Sequence, residues 1–257
     1  RFKMSNKDVV TNEYSLLFGD CLERMKEIPD GSVDMVLVDL PYGTTQNKWD
    51  SVIPFEPMWD QLYRVLKRDG ACVMFSSQPF TTLLIGSNFK GFRYNLVWEK
   101  QKGSDPLNAK RKPLKSHEDI NLFYRKQPTY NPQFELGEAY VRKGDCSVKS
   151  SNFNKAKETE TVINDGKRYP KSVLRFTSEG MNRGSLHPTQ KPVALLEYLI
   201  KTYTNENETV LDFTFGSGST GVACLNTNRK FLGVEMEEKY FDIGVSRMQE
   251  STVKGEI

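Results

Sequence analysis

Metal-binding and redox residues are scarce in this chain, with only two histidines and four cysteines among 257 residues. Cys21, Cys72, Cys146 and Cys224 form no C-x-x-C pair and His117 and His187 stand far apart, so no metal site is expected. Cys72 and Cys224 lie inside apolar runs and read as small core residues, which leaves no disulfide framework. Each isolated histidine is read as structural, the more common role. No window comes near the ~18 continuous apolar residues of a membrane span, and the N-terminus lacks the apolar core of a secretory leader. A cytoplasmic protein with no membrane partner is therefore expected. Arg1 to Lys3 precede Met4 and are left out of the fold reading. Internal repeats and low-complexity tracts are missing as well.

What is present is the composition of a folded, rather polar domain, 37% hydrophobic and 27% charged. The length suits one sizeable α/β core with a small additional module. The net charge is only +3 but unevenly spread: residues 99–185 carry 18 basic and 11 acidic side chains, and the rest of the chain 18 and 22. A basic middle between acidic flanks fits a phosphate-contacting surface, although a solvated lysine-rich loop is the commoner source of such a run.

Apolar and β-branched runs predict strands at Ser15–Phe18, Val33–Val38, Gly70–Phe75, Phe92–Trp98, Ile120–Tyr124, Thr209–Phe213 and Phe231–Val234. Apolar residues at helical spacing predict helices over Cys21–Ile28, Pro57–Lys67, Thr81–Phe89, Pro192–Tyr203 and Lys239–Met248, with another ending near Asn226. The nearly unbroken run Val33–Val38 predicts a strand buried on both faces of a parallel sheet. Between residues 127 and 185 repeated prolines and glycines end the rhythm, as in an inserted module. The expected organisation is a catalytic part over 4–126, an insert over 127–185 and a ligand-binding part over 186–257, together an α/β, Rossmann-like doubly wound sheet.

Two motifs carry chemistry. Gly216-x-Gly218-x-x-Gly221 follows a predicted strand and opens a helix, and acidic Glu235 ends the next strand. Such a loop brings backbone close to a ligand and the acid accepts from ribose hydroxyls, which fits an adenosine-type ligand, NAD included. No lysine follows the last glycine, so a phosphate-binding P-loop is excluded. The second motif, Asp39-Leu40-Pro41-Tyr42, falls just past the Val33–Val38 strand, because proline cannot continue a central strand. There open α/β sheets bind ligands. An exocyclic amino nitrogen is a poor nucleophile until two acceptors draw its hydrogens out of the ring plane. The Asp39 carboxylate and the Leu40 carbonyl supply two, Pro41 fixes the loop, and Tyr42 can stack on an extruded base. The plainer alternative is a strand-end turn capped by Asp39. Lys100, Lys102, Lys110, Arg111, Lys112 and Lys115 lie in a predicted polar loop after Trp98, able to close over DNA or simply solvated.

Together these motifs resemble the DNA amino-methyltransferases, in which a [DNS]-P-P-[YF] catalytic motif is joined to an F-x-G-x-G cofactor motif; the stretch Phe213 to Gly218 is similar to the latter. The catalytic motif comes first here, as in the circularly permuted β group. The resemblance implies S-adenosylmethionine as cofactor, double-stranded DNA as substrate, and a target-recognition role for the insert. It also implies that Asp20 and Cys21 contact the cofactor's adenine, that Glu235 binds its ribose, and that Thr189-Gln190-Lys191, within His187 to Pro192, lies near its methionine end. Asp39, Asp212, Phe213, Thr214, Gly216, Gly218, Ser219 and Thr220 complete the implied cofactor set. Leu40 stands where the family usually has proline, a change its backbone role tolerates. Members with Asp at position 39 mostly resemble N6-adenine enzymes. N4-cytosine methylation and a non-catalytic DNA- or cofactor-binding module are the alternatives, and a cognate restriction endonuclease and a homodimer are further partners the resemblance suggests.

Overall fold

The computed structural model describes residues 5–43, 50–143, 161–177 and 190–255. In chain order the main unit contains β1 (Val9–Val10), β2 (Tyr14–Phe18), α1 (Cys21–Met25), β3 (Val33–Asp39), α2 (Phe55–Val65), β4 (Leu66–Ser76), α3 (Phe80–Ser87), β5 (Phe92–Ser104) and β6 (Lys115–Phe123). A second compact unit, Pro132–Lys171, holds β7 (Glu135–Leu136), β8 (Tyr140–Arg142), β9 (Val162–Asn164) and β10 (Lys167–Arg168). The main unit resumes with β11 (Val173–Arg175), α4 (Val193–Tyr203), β12 (Thr209–Asp212), α5 (Ser219–Asn226), β13 (Lys230–Glu235) and α6 (Glu238–Gly255).

The main unit is one nine-stranded sheet in the order β1-β2-β13-β12-β3-β4-β6-β5-β11. β2, β13, β12, β3 and β4 run parallel, and β6 is antiparallel to both β4 and β5. β3 shows why its sequence is almost wholly apolar. Met35 and Leu37 enter the core shared with α4, α5 and α6 through Leu195, Leu199, Ala223, Phe241 and Met248. Val36 and Val38 point into the opposite core with Met25 of α1, Met58 and Leu62 of α2 and Leu84 of α3. With helices on both faces the sheet is doubly wound. Its permutation is visible in the order, because the central strand β12 comes late in the chain while its neighbour β3 comes early.

α1 stops at Met25, short of the expected Ile28; Pro29 has no N–H to offer the Met25 carbonyl and its ring crowds that group. Ile28 still packs into the core as part of the following turn. The predicted polar loop after Trp98 is instead a long hairpin. β5 runs on to Ser104 and β6 starts at Lys115, with Glu99 opposite His117 and Ser104 opposite Lys115 across a bulge. Lys100 and Lys102 therefore lie on a strand, and Lys110, Arg111 and Lys112 in its connection. Gly103 allows the close approach, since a Cβ there would stand 2.5 Å from that of Leu114. β11 pairs with β5, so residues 173–175, inside the stretch expected to be insert, belong to the main sheet.

The second unit is built from two short antiparallel ladders, β7 with β10 and β8 with β9. Among its described residues only Gly166 is buried, and Leu136, Ile163 and Tyr169 are exposed. Cys146, His187, Pro188 and Thr189 lie outside the described residues.

Candidate active site

The carboxyl ends of β2, β13, β12 and β3 open onto a cavity of about 330 Å³, within the range of ligand pockets. Its floor is the glycine loop after β12. Gly216 has φ +53° and open space where a side chain would sit, so ligand can approach its backbone. Gly218, at φ +80°, faces away from the cavity. A Cβ on it would stand 3.1 Å from the Cα of Gly244 in α6, so this glycine fits the loop to the helix, and it does not line the cavity.

Carboxylates fix this loop. Glu235, the last residue of β13, accepts the Gly216 N–H at 2.9 Å and the Glu237 N–H at 2.8 Å. Asp212, the last residue of β12, accepts the Thr220 hydroxyl at 2.6 Å and the Thr214 N–H at 3.2 Å. Burial pushes Asp212 up to about 7 and raises Glu235 as well. Asp20 lines the cavity while its carboxylate caps α1, accepting from the Leu22 and Glu23 amides at 2.9 and 3.1 Å. A mostly apolar hollow walled by buried, poorly solvated carboxylates suits an adenosine bearing a cationic sulfonium. S-adenosylmethionine fits that description.

Across the cavity β3 ends on Asp39. Its Oδ1 accepts the Tyr42 hydroxyl at 2.8 Å, and its Oδ2 accepts from the Lys191 ammonium at 2.5 Å. The Thr214 hydroxyl donates to the Asp39 main-chain carbonyl at 3.1 Å, tying the tetrad to the glycine loop. Leu40 is buried among the residues under α2, and the Tyr42 ring lies 5.2 Å from that of Phe80. Lys191 has 8% of its side chain exposed and also reaches Glu118 Oε2 at 3.2 Å. Burial raises the Asp39 carboxyl and Lys191 opposes that rise, while Lys191 and Lys100 overcome burial at Glu118 and hold it at about 2.

Asp20, Cys21, Asp39, Leu40, Pro41, Tyr42, Gln190, Lys191, Asp212, Phe213, Thr214, Gly216, Ser219, Thr220 and Glu235 all line this one cavity. Of the other residues expected there, Gly218 stands behind the loop and Thr189 is outside the described residues. None of the six basic candidates lines it. Lys102, Lys110, Arg111 and Lys112 are exposed on the hairpin, Lys112 paired with Asp105 at 2.6 Å, whereas Lys100 turns inward to Glu118. Lys115, opposite Ser104 beside the connecting loop, is half-buried, and burial lowers its pKa. Sequence reasoning missed Glu118, which stands beside Asp119 in the polar start of a strand with no periodic signal. It also missed the lip at Asp50 to Pro54 and Tyr240 at the start of α6.

A doubly wound parallel sheet with an antiparallel strand inserted near one edge, a glycine loop after its central strand and an acid ending the next define a Rossmann-like methyltransferase. The family model described as DNA methylase, of the N6/N4 methyltransferases, matches residues 33–246, and the chain belongs to that family. It is a DNA methyltransferase with S-adenosylmethionine as methyl donor. Among its relatives, the DNA adenine methyltransferase YhdJ of Escherichia coli is 28% identical over 250 residues, covering 91% of this chain and 82% of that protein. The type II methyltransferase M1.MboII of Moraxella bovis is 26% identical over 247 residues, covering 86% and 91%. Among solved structures, the M1.HpyAVI–SAM complex aligns with a TM-score of 0.62 at 24% identity, covering 91% of this chain and 98% of that one. The PvuII DNA methyltransferase, titled cytosine-N4-specific, gives 0.65 at 17%, covering 95% and 92%.

Proposed function

We propose that the chain methylates the N6 amino group of adenine, flipped from duplex DNA into the mouth of this cavity. The observation that carries the reading is the Asp39 carboxylate, held beside the glycine loop by Thr214 and clamped at both oxygens. The sulfonium of S-adenosylmethionine supplies an electrophilic methyl group. Asp39 accepts one amino hydrogen and the Leu40 carbonyl the other, which localises the nitrogen lone pair toward the methyl. Tyr42 stacks on the base, contributing about 1–3 kcal/mol. Asp39 or water takes the proton released after transfer. Adenine is favoured by the aspartate at position 39 and by the E. coli relative named for adenine. The basic hairpin carries phosphate contacts, and Pro132–Lys171 carries target recognition.

Incubating unmethylated DNA with protein and cofactor, then identifying the modified nucleoside and sequencing its context, tests this directly. N6-methyladenine is the expected product; N4-methylcytosine would overturn the choice of base. Asp39→Ala is expected to abolish transfer while S-adenosylmethionine still binds, and full activity in that variant would remove Asp39 from the chemistry.

A further inference from the structure

The implied place of Lys191 is beside the cofactor, yet its ammonium is committed elsewhere. It sits between two carboxylates, 2.5 Å from Asp39 Oδ2 and 3.2 Å from Glu118 Oε2, above the Phe75 ring with 5.1 Å to its centroid. The other Glu118 oxygen accepts from Lys100, which packs over Trp98 where β5 leaves the sheet for the hairpin. Only 12% of the Glu118 side chain and 19% of that of Lys100 are exposed. Four charges of alternating sign, Lys100, Glu118, Lys191 and Asp39, thus run in file from the root of the basic hairpin to the carboxylate at the end of β3. A buried ammonium is tolerated only with its charge matched, which these two carboxylates do, and Asp39 also takes one of its hydrogens.

We propose that Lys191 is a positioning residue for methyl transfer, orienting the Asp39 carboxylate as an acceptor for the amino group, with Glu118 anchoring Lys191 and Lys100 anchoring Glu118. The inference rests on the reading that Asp39 receives an amino hydrogen. An unclamped aspartate at a strand end samples several rotamers, and an acceptor fixed before the base arrives does not spend binding energy on being oriented. Tyr42 fixes one oxygen from its own loop and Lys191 the other from the segment before α4. The charge file also gives the hairpin a physical route to the reacting centre.

The test is single-turnover methyl transfer to duplex DNA by Lys191→Met, Lys191→Arg, Glu118→Gln, Lys100→Met and Asp39→Ala, with cofactor affinity measured by calorimetry. Loss of one charge-assisted hydrogen bond predicts a transfer rate about 10- to 100-fold lower in Lys191→Met, with cofactor affinity changed by less than about 3-fold. Lys191→Arg recovers most of the rate, Glu118→Gln falls between, and Lys100→Met shows the smallest loss. In Lys191→Met the acid limb of the rate–pH profile moves to higher pH. There Asp39 loses its only facing cation among the described residues and keeps Glu118 of β6, Asp212 of β12 and the Tyr42 hydroxyl around it. Glu118→Gln, nearly isosteric, carries the rate prediction should Lys191→Met not fold; its acid limb does not move to higher pH, because the charge it removes is one that raises Asp39. A loss of cofactor affinity as large as the loss of rate would assign Lys191 to the cofactor and overturn the proposal. So would unchanged rates in Lys191→Met and Glu118→Gln, with an unmoved pH profile in Lys191→Met, beside an inactive Asp39→Ala. Activity in Asp39→Ala would instead sink the underlying reading of the tetrad.

Discussion

At the scale of single residues, the site stores unfavourable charge. Asp212 is held at about 7 against an ordinary value of 3.8, because burial penalises its ionised form more than Thr220 and Thr214 stabilise it. A carboxyl whose folded pKa is raised contributes stability that is fully present below about pH 4 and lost as pH rises through about 7. The ligand-free protein should therefore lose melting temperature between about pH 4 and 7, and Asp212→Asn, whose amide oxygen can accept the Thr214 N–H and whose amide N–H can donate to the Thr220 hydroxyl, should flatten that slope. Melting curves across that interval, with and without the substitution, check it; an unchanged slope would mean that Asp212 stays ionised throughout. Much of the site at this scale was legible in the sequence. Asp39 and Glu235 each follow a predicted apolar run, a position that patterning locates without coordinates, whereas Asp212 lies within the predicted strand Thr209–Phe213 and is implied only by the family resemblance. Glu118 was not legible, because its importance comes from β6 lying antiparallel beside β4, which brings it within reach of a lysine 73 positions later in the chain. Gly218 was legible as a loop glycine but not in its packing, since nothing local says that α6 passes behind it.

At the scale of elements, burial decided what could be read. β3 and α2 announce themselves because the core requires apolar residues at five of the seven positions of the one and along one stripe of the other. The outer half of the β5–β6 hairpin gives no such signal. Its cross-strand partners are polar and none is fully buried, and it is held by backbone pairing and the Lys100–Glu118 ion pair. The two- and three-residue ladders of Pro132–Lys171 are equally silent, with hardly any apolar face to bury. The hairpin carries Lys102, Lys110 and Arg111 exposed. Replacing all three by alanine is expected to weaken binding of any duplex sequence alike. In a plot of log affinity against log salt the slope should decrease by about 0.9 for each phosphate that is no longer neutralised. Titrations at several salt concentrations decide this, and an unaltered slope would mean that the hairpin does not touch the backbone.

At the scale of the whole molecule, the site lies where strands from opposite parts of the chain become neighbours. Val210 and Leu211 of β12 pair with Met35 and Val36 of β3, and that ladder joins the half carrying the glycine loop to the half carrying the tetrad. Leu211 is fully buried at this seam. Leu211→Ala should cost about 2–5 kcal/mol and lower the denaturant midpoint without splitting the transition, because neither half buries its strands without the other. Two separate transitions on chemical denaturation would show the halves to be independent. The permuted order also bears on biosynthesis. A chain leaves the ribosome from its N-terminus, so β3 and its tetrad emerge long before β12, the strand they must lie against. Until residue 212 has been translated, the nascent polypeptide presents an apolar strand with an open hydrogen-bonding edge, a substrate for chaperones and a hazard for self-association. The catalytic centre is consequently among the last parts of the protein to form, and a transcript cut short after α4 yields a catalytic tetrad with no cofactor loop beside it.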